Sequence, residues 1–318
     1  MPALNYDFTK FEAYKDLNIN DVIIPTTDDS AWEYFCNHNW IYDKLLLSQL
    51  NDIPCAPYGV YPTEYPVIVK PITNLLGGGT GSRKVSNEEE LEKYLLPGFF
   101  WMNYFEGNHL SFDCIVKEGN VIHMEVFEGH KLRDGMFDYW ETITEEVDSA
   151  RINKIVKWTR THLSGYTGCL CCETIDDNII EAHLRMGDLD RLMNVSLMEN
   201  IINIYKGQSW NYKQRGYKKY YLFTLFGPHT LKARLKDTII SEVSEKCVFF
   251  QLDPETGALS NPPSGKRLLV FGTWDKEEGI KIRNYLIKNI RPRIPDEYVS
   301  SLLGYKKHFS LAKYLKFR

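Results

Sequence analysis

Residues 169–185 have the sequence CLCCETIDDNIIEAHLR, in which two apolar runs flank the polar turn Asp176-Asp177-Asn178. The runs predict two strands, Cys169 to Ile175 and Ile179 to Leu184, because short apolar segments bounded by turn residues are typical of buried strands. Successive side chains of a strand point to opposite faces of its sheet. We predict that the acidic residues of the two strands, Glu173 and Glu181, face the same way.

Polar side chains on these strands form a candidate metal and phosphate site. Positions 181, 183 and 185 alternate, so one strand face would hold the Glu181 carboxylate, the His183 imidazole and the Arg185 guanidinium. Unpaired carboxylates are costly inside a buried sheet, and a divalent cation bound by Glu173, Glu181 and His183 would relieve that cost. Arg185 is predicted to stabilise a transferring phosphoryl group. The alternatives are a solvated strand face for the carboxylates, a hydrogen-bonded core histidine for His183, and an ion pair between Arg185 and Asp188.

A lysine and a glycine-rich segment lie upstream of these strands. The predicted strand Pro66 to Lys70 ends in a lysine followed by proline, and this strand end would place the Lys70 charge against ATP phosphates. The segment Gly77-Gly78-Gly79-Thr80-Gly81-Ser82 comes next, and its backbone N–H groups can approach phosphate oxygens without Cβ clashes. It has neither the spacing of a Walker P-loop nor the context of a Rossmann fingerprint. A surface lysine and a flexible linker are the alternative interpretations.

The sequence resembles the ATP-grasp superfamily over roughly Asp43 to Tyr205. In that family the last motif is E-x-N-x-R, and it supplies metal ligands and an arginine that contacts phosphate. The matching elements here are Asp43-Lys44 at the start of a helix, Val69-Lys70-Pro71, the glycine-rich segment, Phe105-Glu106-Gly107-Asn108-His109-Leu110-Ser111, Glu173, and Ile180-Glu181-Ala182-His183-Leu184-Arg185.

The resemblance implies an α+β fold in which two α+β subdomains hold ATP between them. The family's second conserved lysine lies on the strand of Lys70, and its hinge strand, here Trp101 to Phe105, contacts the adenine through backbone groups. The resemblance implies ATP binding by Lys44, Lys70, Gly77, Gly78, Gly79, Thr80, Gly81, Ser82, Met102, Asn103, Tyr104, Phe105 and His109, metal binding by Glu173, Glu181 and His183, and catalytic roles for Lys70 and Arg185.

Two positions depart from the family pattern. His183 stands where asparagine is usual, and His109 stands where an acidic residue often holds the ribose hydroxyls. Lys131 and Arg133 lie in a segment that the family often uses as a substrate-side loop, and a solvated loop is the alternative. These departures bear on metal preference, nucleotide preference and activity.

Three parts of the chain are predicted: a short N-terminal segment (1–42), an ATP-grasp core (43–206), and a small C-terminal α+β appendage with a basic tail (207–318). The first part is short for the family's N-terminal domain, so the segment after Gly207 is expected to build the acceptor pocket. Further predicted elements are a strand over Asp21–Pro25, a helix over Asn87–Leu95 with a Ser86–Glu89 capping box, successive antiparallel strands over Phe99–Phe105, Leu110–Lys117 and Val121–Phe127, and a helix over Leu189–Tyr205.

Composition indicates a cytoplasmic protein with reduced thiols. The seven cysteines are an odd number, and several lie in apolar runs. No apolar run approaches the length of a membrane span, and Met1 to Lys10 lacks the apolar core of a signal peptide. The net charge of −4 argues against wholesale nucleic-acid binding. The basic and aromatic segment Tyr212 to Lys219 is therefore interpreted as a solvated hairpin.

These features predict an ATP-dependent ligase that uses Mg²⁺ or Mn²⁺. ATP would phosphorylate a small-molecule or peptide carboxylate, and an amine or similar nucleophile would attack the acyl phosphate. Such chemistry needs positioning and charge neutralisation more than a protein nucleophile. The alternatives are a phosphotransferase on the same fold, a nucleotide-binding pseudoenzyme or adaptor, and a nucleic-acid-binding module.

Overall fold

The computed structural model describes residues 12–19, 21–75, 78–133, 136–214, 218–227, 233–253 and 266–292 of the 318-residue chain. Gly77 and the basic tail with Lys306, Lys307, Lys313, Lys316 and Arg318 lie outside these residues. No helix within the described ranges is long and apolar enough to cross a membrane.

A four-stranded antiparallel sheet forms the smaller layer, in the order β1-β4-β2-β3. Val67 and Val69 are buried on one face, where they pack with Leu91 of a covering helix, and Ile68 points the other way. The capping box of that helix lies one residue later than predicted, because Asn87 caps the Glu90 N–H and the Glu90 carboxylate accepts from the Ser86 N–H. The elements are β1 (Cys55–Pro57), β2 (Val67–Pro71), β3 (Arg83–Val85), β4 (Phe99–Asn103) and α3 (Glu88–Tyr94).

An eight-stranded antiparallel sheet forms the larger layer, in the order β12-β13-β10-β7-β6-β5-β8-β9. The two strands predicted from residues 169–185 are its last pair. The prediction that Phe99–Phe105 pairs with the strands after it is wrong, because β4 belongs to the smaller sheet. The strands are β5 (His109–Lys117), β6 (Asn120–Arg133), β7 (Met136–Thr142), β8 (Gly168–Ile175), β9 (Asn178–His183), β10 (Tyr221–Gly227), β12 (Phe249–Leu252) and β13 (Lys266–Thr273); β11 (Ala233–Arg234) pairs separately with β14 (Arg291–Pro292).

The strands after residue 207 continue the large sheet instead of forming a sheet of their own. β10 pairs with β7 through residues 221–223 opposite 139–141, and β13 and β12 follow outward from β10. The predicted boundary at residue 207 therefore does not coincide with a break in the sheet. This continuity lets the C-terminal strands line the same cavity as β5 and β8.

Helices cover both faces of the large sheet. On one face, Ile155 and Trp158 of α4 pack against β5 and β8, and α6 and α7 cover β10 and β13. On the opposite face, α5 packs against Ile115 of β5 and Leu222 of β10. Ala31 of α1 belongs to the cluster that contains α4, so the N-terminal segment packs directly on the core. The helices are α1 (Asp28–Tyr34), α2 (Lys44–Leu50), α4 (Ser149–His162), α5 (Val195–Tyr205), α6 (Asp237–Ser244) and α7 (Lys276–Asn289).

Three local predictions were wrong. Asp21–Pro25 is not a strand, although Val22 and Ile24 are buried in the core as a strand pattern would suggest. The predicted helix Leu189–Tyr205 is interrupted, because Met193 has a φ of 53° and Asn194 caps α5 after a short 3₁₀ helix. Lys131 lies on β6, near its end, instead of in a loop.

Candidate active site

A cavity of about 860 Å³ lies between the two sheets. Ile68 and Lys70 of β2 line it from the smaller sheet, and Ser111 of β5 and Glu173 of β8 line it from the larger one. Lys44, Thr80, Gly81 and His183 are described residues that do not line it. The predicted site residues that do line it are Lys70, Gly78, Gly79, Ser82, Met102, Asn103, Tyr104, Phe105, His109, Glu173, Glu181 and Arg185.

Two carboxylates face each other at the edge of the large sheet. Glu173 of β8 and Glu181 of β9 are directly opposite in the strand register, so their side chains lie on one face. Each of Glu173, Glu181 and His183 offers one atom, and these atoms lie within 4.8 Å of one another. Pairing the strands from the sequence therefore brings together the three residues predicted as metal ligands.

Two lysines neutralise this acidic pair. Lys44 Nζ lies 2.5 Å from Glu181 Oε1. Burial alone would raise the pKa of Glu181, but the Lys44 charge holds that pKa well below its usual range. Lys70 Nζ donates to the Ile180 carbonyl at 3.1 Å. Burial lowers the pKa of Lys70 to about 8, against the opposing attraction of Glu181. Lys44 therefore lies behind Glu181, while Lys70 lines the cavity.

His183 and Arg185 share a counterion that sequence reasoning missed. Asp28 Oδ1 lies 3.0 Å from His183 Nδ1 and 3.0 Å from Arg185 Nε. Burial alone would lower the pKa of His183, but Asp28 raises it to about 9. Its Nε2 faces Glu173 Oε1 at 3.9 Å and Glu181 Oε2 at 3.5 Å, and the predicted role of His183 as a metal ligand stays a prediction.

Arg185 lies just past the end of β9, which ends at His183, and still lines the cavity. It pairs with Asp28 and not with Asp188, whose carboxylate accepts from Arg191 instead. The sequence alone does not identify Asp28 as a site residue, because an acidic residue at the start of a helix is commonly explained as a helix cap.

His109 contacts a carboxylate. Its Nε2 lies 2.8 Å from Glu173 Oε2, and its ring packs edge-on against Phe137 and Trp140. Burial would raise the pKa of Glu173, and the hydrogen bond from His109 brings it below its usual value. His109 thus orients the carboxylate of β8; its predicted contact with ribose stays a prediction.

The end of the cavity near the predicted hinge strand combines an apolar slot with a glycine turn. Ile68, Met102 and Ile180 form one small cluster, beside the predicted hinge. Gly78 and Gly79 have φ of 61° and 64°, in the left-handed region that side chains with a Cβ rarely adopt. This arrangement can hold a flat base next to a phosphate-binding backbone.

Below the carboxylates, a buried aspartate anchors the chain after β9. Asp113 Oδ2 accepts from the Asp188 N–H at 2.6 Å, and Oδ1 accepts from the Ser111 hydroxyl at 2.9 Å. Burial, and secondly the charge of Asp188, raise the pKa of Asp113 to about 7. Asp113 was not predicted from the sequence, although His109, Ser111 and Asp113 alternate along β5 and therefore share one face of the strand.

No family model matches the sequence, and no curated protein matches it either. Solved structures do. An L-amino acid ligase from Bacillus licheniformis superimposes with a TM-score of 0.55 at 14% identity, covering 84% of this chain and 74% of that one. A biotin carboxylase from Campylobacter jejuni gives 0.53 at 15% identity, covering 94% and 82%. N5-carboxyaminoimidazole synthetase from Staphylococcus aureus, complexed with ADP, gives 0.56 at 14% identity, covering 78% and 71%. These similarities show that the chain has the ATP-grasp fold.

Proposed function

We propose that this protein is an ATP- and divalent-metal-dependent ligase, which activates a carboxylate as an acyl phosphate for attack by an amine or a similar nucleophile. The observation that carries the proposal is the carboxylate pair Glu173 and Glu181, which faces a cavity between two sheets that Lys70 also lines. Solved structures of the same fold include ligases, which supports the general kind of reaction.

The donor set fits a hard cation. Mg²⁺ prefers oxygen ligands and binds through one or two carboxylates together with substrate phosphates, and Mn²⁺ accepts the same ligands. Glu173 and Glu181 would hold the ion, with His183, oriented by Asp28 through its Nδ1, as the third candidate ligand. When bound, the metal neutralises charge on the transferring phosphoryl group.

The side chains around the pair have distinct tasks. Lys70 and the backbone of Gly78 and Gly79 would bind phosphate oxygens, and Arg185 would stabilise the charge of the transferring phosphoryl group. A substrate carboxylate oxygen attacks the γ-phosphorus of ATP, the bond between that phosphorus and the ADP oxygen breaks, and an acyl phosphate and ADP form. Attack by an amine on the acyl carbon then releases phosphate and forms an amide.

A nucleotide-binding pseudoenzyme is the second candidate, because basic side chains already surround the carboxylates. Lys44 and His183 contact Glu181, and His109 contacts Glu173. In a pseudoenzyme these contacts would replace the metal. A phosphotransferase differs from a ligase only in releasing the phosphorylated product, so product analysis separates these two.

Metal-dependent ATP turnover tests the proposal. Glu173→Gln and Glu181→Gln keep the side-chain shape and remove the charge that a hard cation requires, so each should abolish turnover. Glu125→Gln is the matched control, since Glu125 is a buried carboxylate on β6 of the same sheet and does not line the cavity. Near-native turnover in either site variant would remove that residue from the metal centre, and absence of turnover in the unmodified protein with Mg²⁺ and Mn²⁺ would favour the pseudoenzyme.

A further inference from the structure

The cavity extends well beyond the carboxylate pair. Its lining continues along the inner face of the large sheet to Thr224 of β10, Arg267 of β13 and Gln251 of β12. Five strand spacings of ~4.8 Å separate β8 from β13, which is ~24 Å measured along the sheet. The far end is therefore carried by strands other than β8 and β9, which hold the carboxylate pair.

A β-bulge directs a buried arginine into this end. Leu225 pairs with Leu269 and Phe226 pairs with Arg267, so Leu268 has no partner on β10. Leu268 and Leu269 both pack in the cluster on the outer face, under α6 and α7. Regular alternation would place Arg267 on that outer face with Leu269; the extra residue turns it to the cavity instead.

A second arginine lines the same end. Arg267 is 8% exposed, and its Nε and Nη2 bind Asp253 at 2.9 and 3.2 Å. Arg191 pairs with Asp188 and also lines the cavity. Arg191 and Arg267 therefore line one cavity, and burial, with the charge of Arg191 second, lowers the pKa of Arg267.

Two neighbouring guanidinium groups in a cavity suit an oxyanion. A guanidinium carries more N–H donors than one carboxylate uses, so Arg267 and Arg191 can bind a carboxylate or phosphate group in addition to Asp253 and Asp188. Apolar rings border the space between this end and the carboxylates, because Phe137, Trp140 and Phe226 line the cavity there. A ligand that spans this space would carry an apolar body and an anionic end.

We propose that Arg191 and Arg267 form an oxyanion subsite, which binds a carboxylate or phosphate group of a substrate with an apolar body. This group is distinct from the carboxylate that is activated beside Glu173. The assignment of the ligand as a substrate rests on the proposed ligase function, whereas the binding of an oxyanion does not require turnover.

Calorimetric titration tests the subsite directly. Inorganic phosphate and 3-phenylpropionate are the two probes, added in the presence of Mg²⁺ and a saturating non-hydrolysable ATP analogue so that neither probe reports on the nucleotide site. We expect at least one probe to bind the unmodified protein, and the stronger one tells whether the subsite takes phosphate or carboxylate. Arg191→Met should weaken that binding at least tenfold.

Variants of the second arginine keep the test independent of folding. Arg267→Met is combined with Asp253→Asn, since the single change would leave a carboxylate with a 1% exposed side chain unpaired. Arg267→Lys keeps the charge, loses the fork, and should weaken binding by less. Arg283→Met is the matched control, because Arg283 is a partly buried, ion-paired arginine on α7 that does not line the cavity.

Three results would overturn the subsite: no binding of either probe to the unmodified protein, unchanged affinity in the folded arginine variants, or an equal loss in Arg283→Met. Failure of the ligase proposal has a different signature. If Glu173→Gln abolishes neither metal dependence nor turnover while the probes still require Arg191 and Arg267, the subsite stands and the reaction is another one.

Discussion

Replacing Asp28 by asparagine should destabilise the fold and disable the site together. Asp28 is 4% exposed, and its Oδ1 lies 3.0 Å from both His183 Nδ1 and Arg185 Nε. Removing one partner of a buried ion pair costs about 3–5 kcal/mol. His183 keeps a second anion, because Glu181 Oε2 lies 3.5 Å from its Nε2. We therefore expect Asp28→Asn to lower the free energy of unfolding by ~3 kcal/mol, at the lower end of that range.

Urea denaturation at pH 7 measures this loss, and ATP turnover of the folded variant measures the loss of Arg185 positioning. Asp29→Asn is the control: Asp29 is the exposed neighbour in the same first turn, and its contribution to the helix is worth ~0.3–1 kcal/mol. If Asp28→Asn costs no more than Asp29→Asn and turnover is kept, the Asp28 contacts do not hold the site, and the reasoning is refuted.

Three further substitutions test the charges around the cavity. Lys70→Met should weaken ATP binding ~10- to 100-fold, because a charged hydrogen bond is lost, and should not lower the free energy of unfolding. Fluorescent-nucleotide titration measures the affinity, and urea denaturation measures the stability. An unchanged affinity would remove Lys70 from the site. Lys44→Met should lower the free energy of unfolding by ~3 kcal/mol, because Glu181 loses the cation 2.5 Å away. Mg²⁺–ATP should restore part of the lost stability, measured as a rise in the melting temperature of the variant. Equal melting temperatures of variant and parent without ligand would contradict this expectation. Asp113 has a pKa raised to about 7, so the stability linked to its protonation is present below its ordinary value of 3.8 and is lost as pH rises through 7. This rise corresponds to ~4 kcal/mol, lost between about pH 4 and about pH 7, and Asp113→Asn should flatten the unfolding free energy over that range; an unchanged pH profile would be inconsistent with it.

The strands and the carboxylate pair were predictable because they depend on local pattern. Two apolar runs bounded by a polar turn predicted both strands, and side-chain alternation predicted that Glu173 and Glu181 face the same way. The structure pairs the two residues directly opposite each other. Lys70 was predictable for the same reason, as the last residue of an apolar strand. The cavity lining by Lys70, Glu173 and Glu181 follows from those short-range signals once the two sheets face each other.

The contacts that the sequence did not predict join distant parts of the chain. Asp28 and His183 are 155 positions apart, and nothing in the sequence near either residue identifies the other. Arg267 was not identified as a site residue from the sequence. One residue without a partner on β10, Leu268, reverses the face that Arg267 occupies, and period-two reasoning cannot detect such an insertion. The boundary at residue 207 was predicted from a change in composition. The large sheet continues across this boundary, because strand pairing is set by packing and not by composition.

The position of Lys70 suggests how nucleotide binding would alter the contact between the two sheets. Its Nζ donates to the carbonyl of Ile180 on β9, so in this arrangement a charge on β2 of the small sheet is tied to the edge of the large one. Burial opposes that charge, which is why the pKa of Lys70 is about 8. A triphosphate would offer a stronger, charged acceptor than a neutral carbonyl. Binding would therefore exchange the Ile180 contact for a phosphate contact and raise the pKa of Lys70, so ATP should bind with proton uptake near pH 8. Calorimetry in two buffers of different ionisation enthalpy measures that uptake, and its absence there would mean that Lys70 stays on Ile180 when the nucleotide is bound.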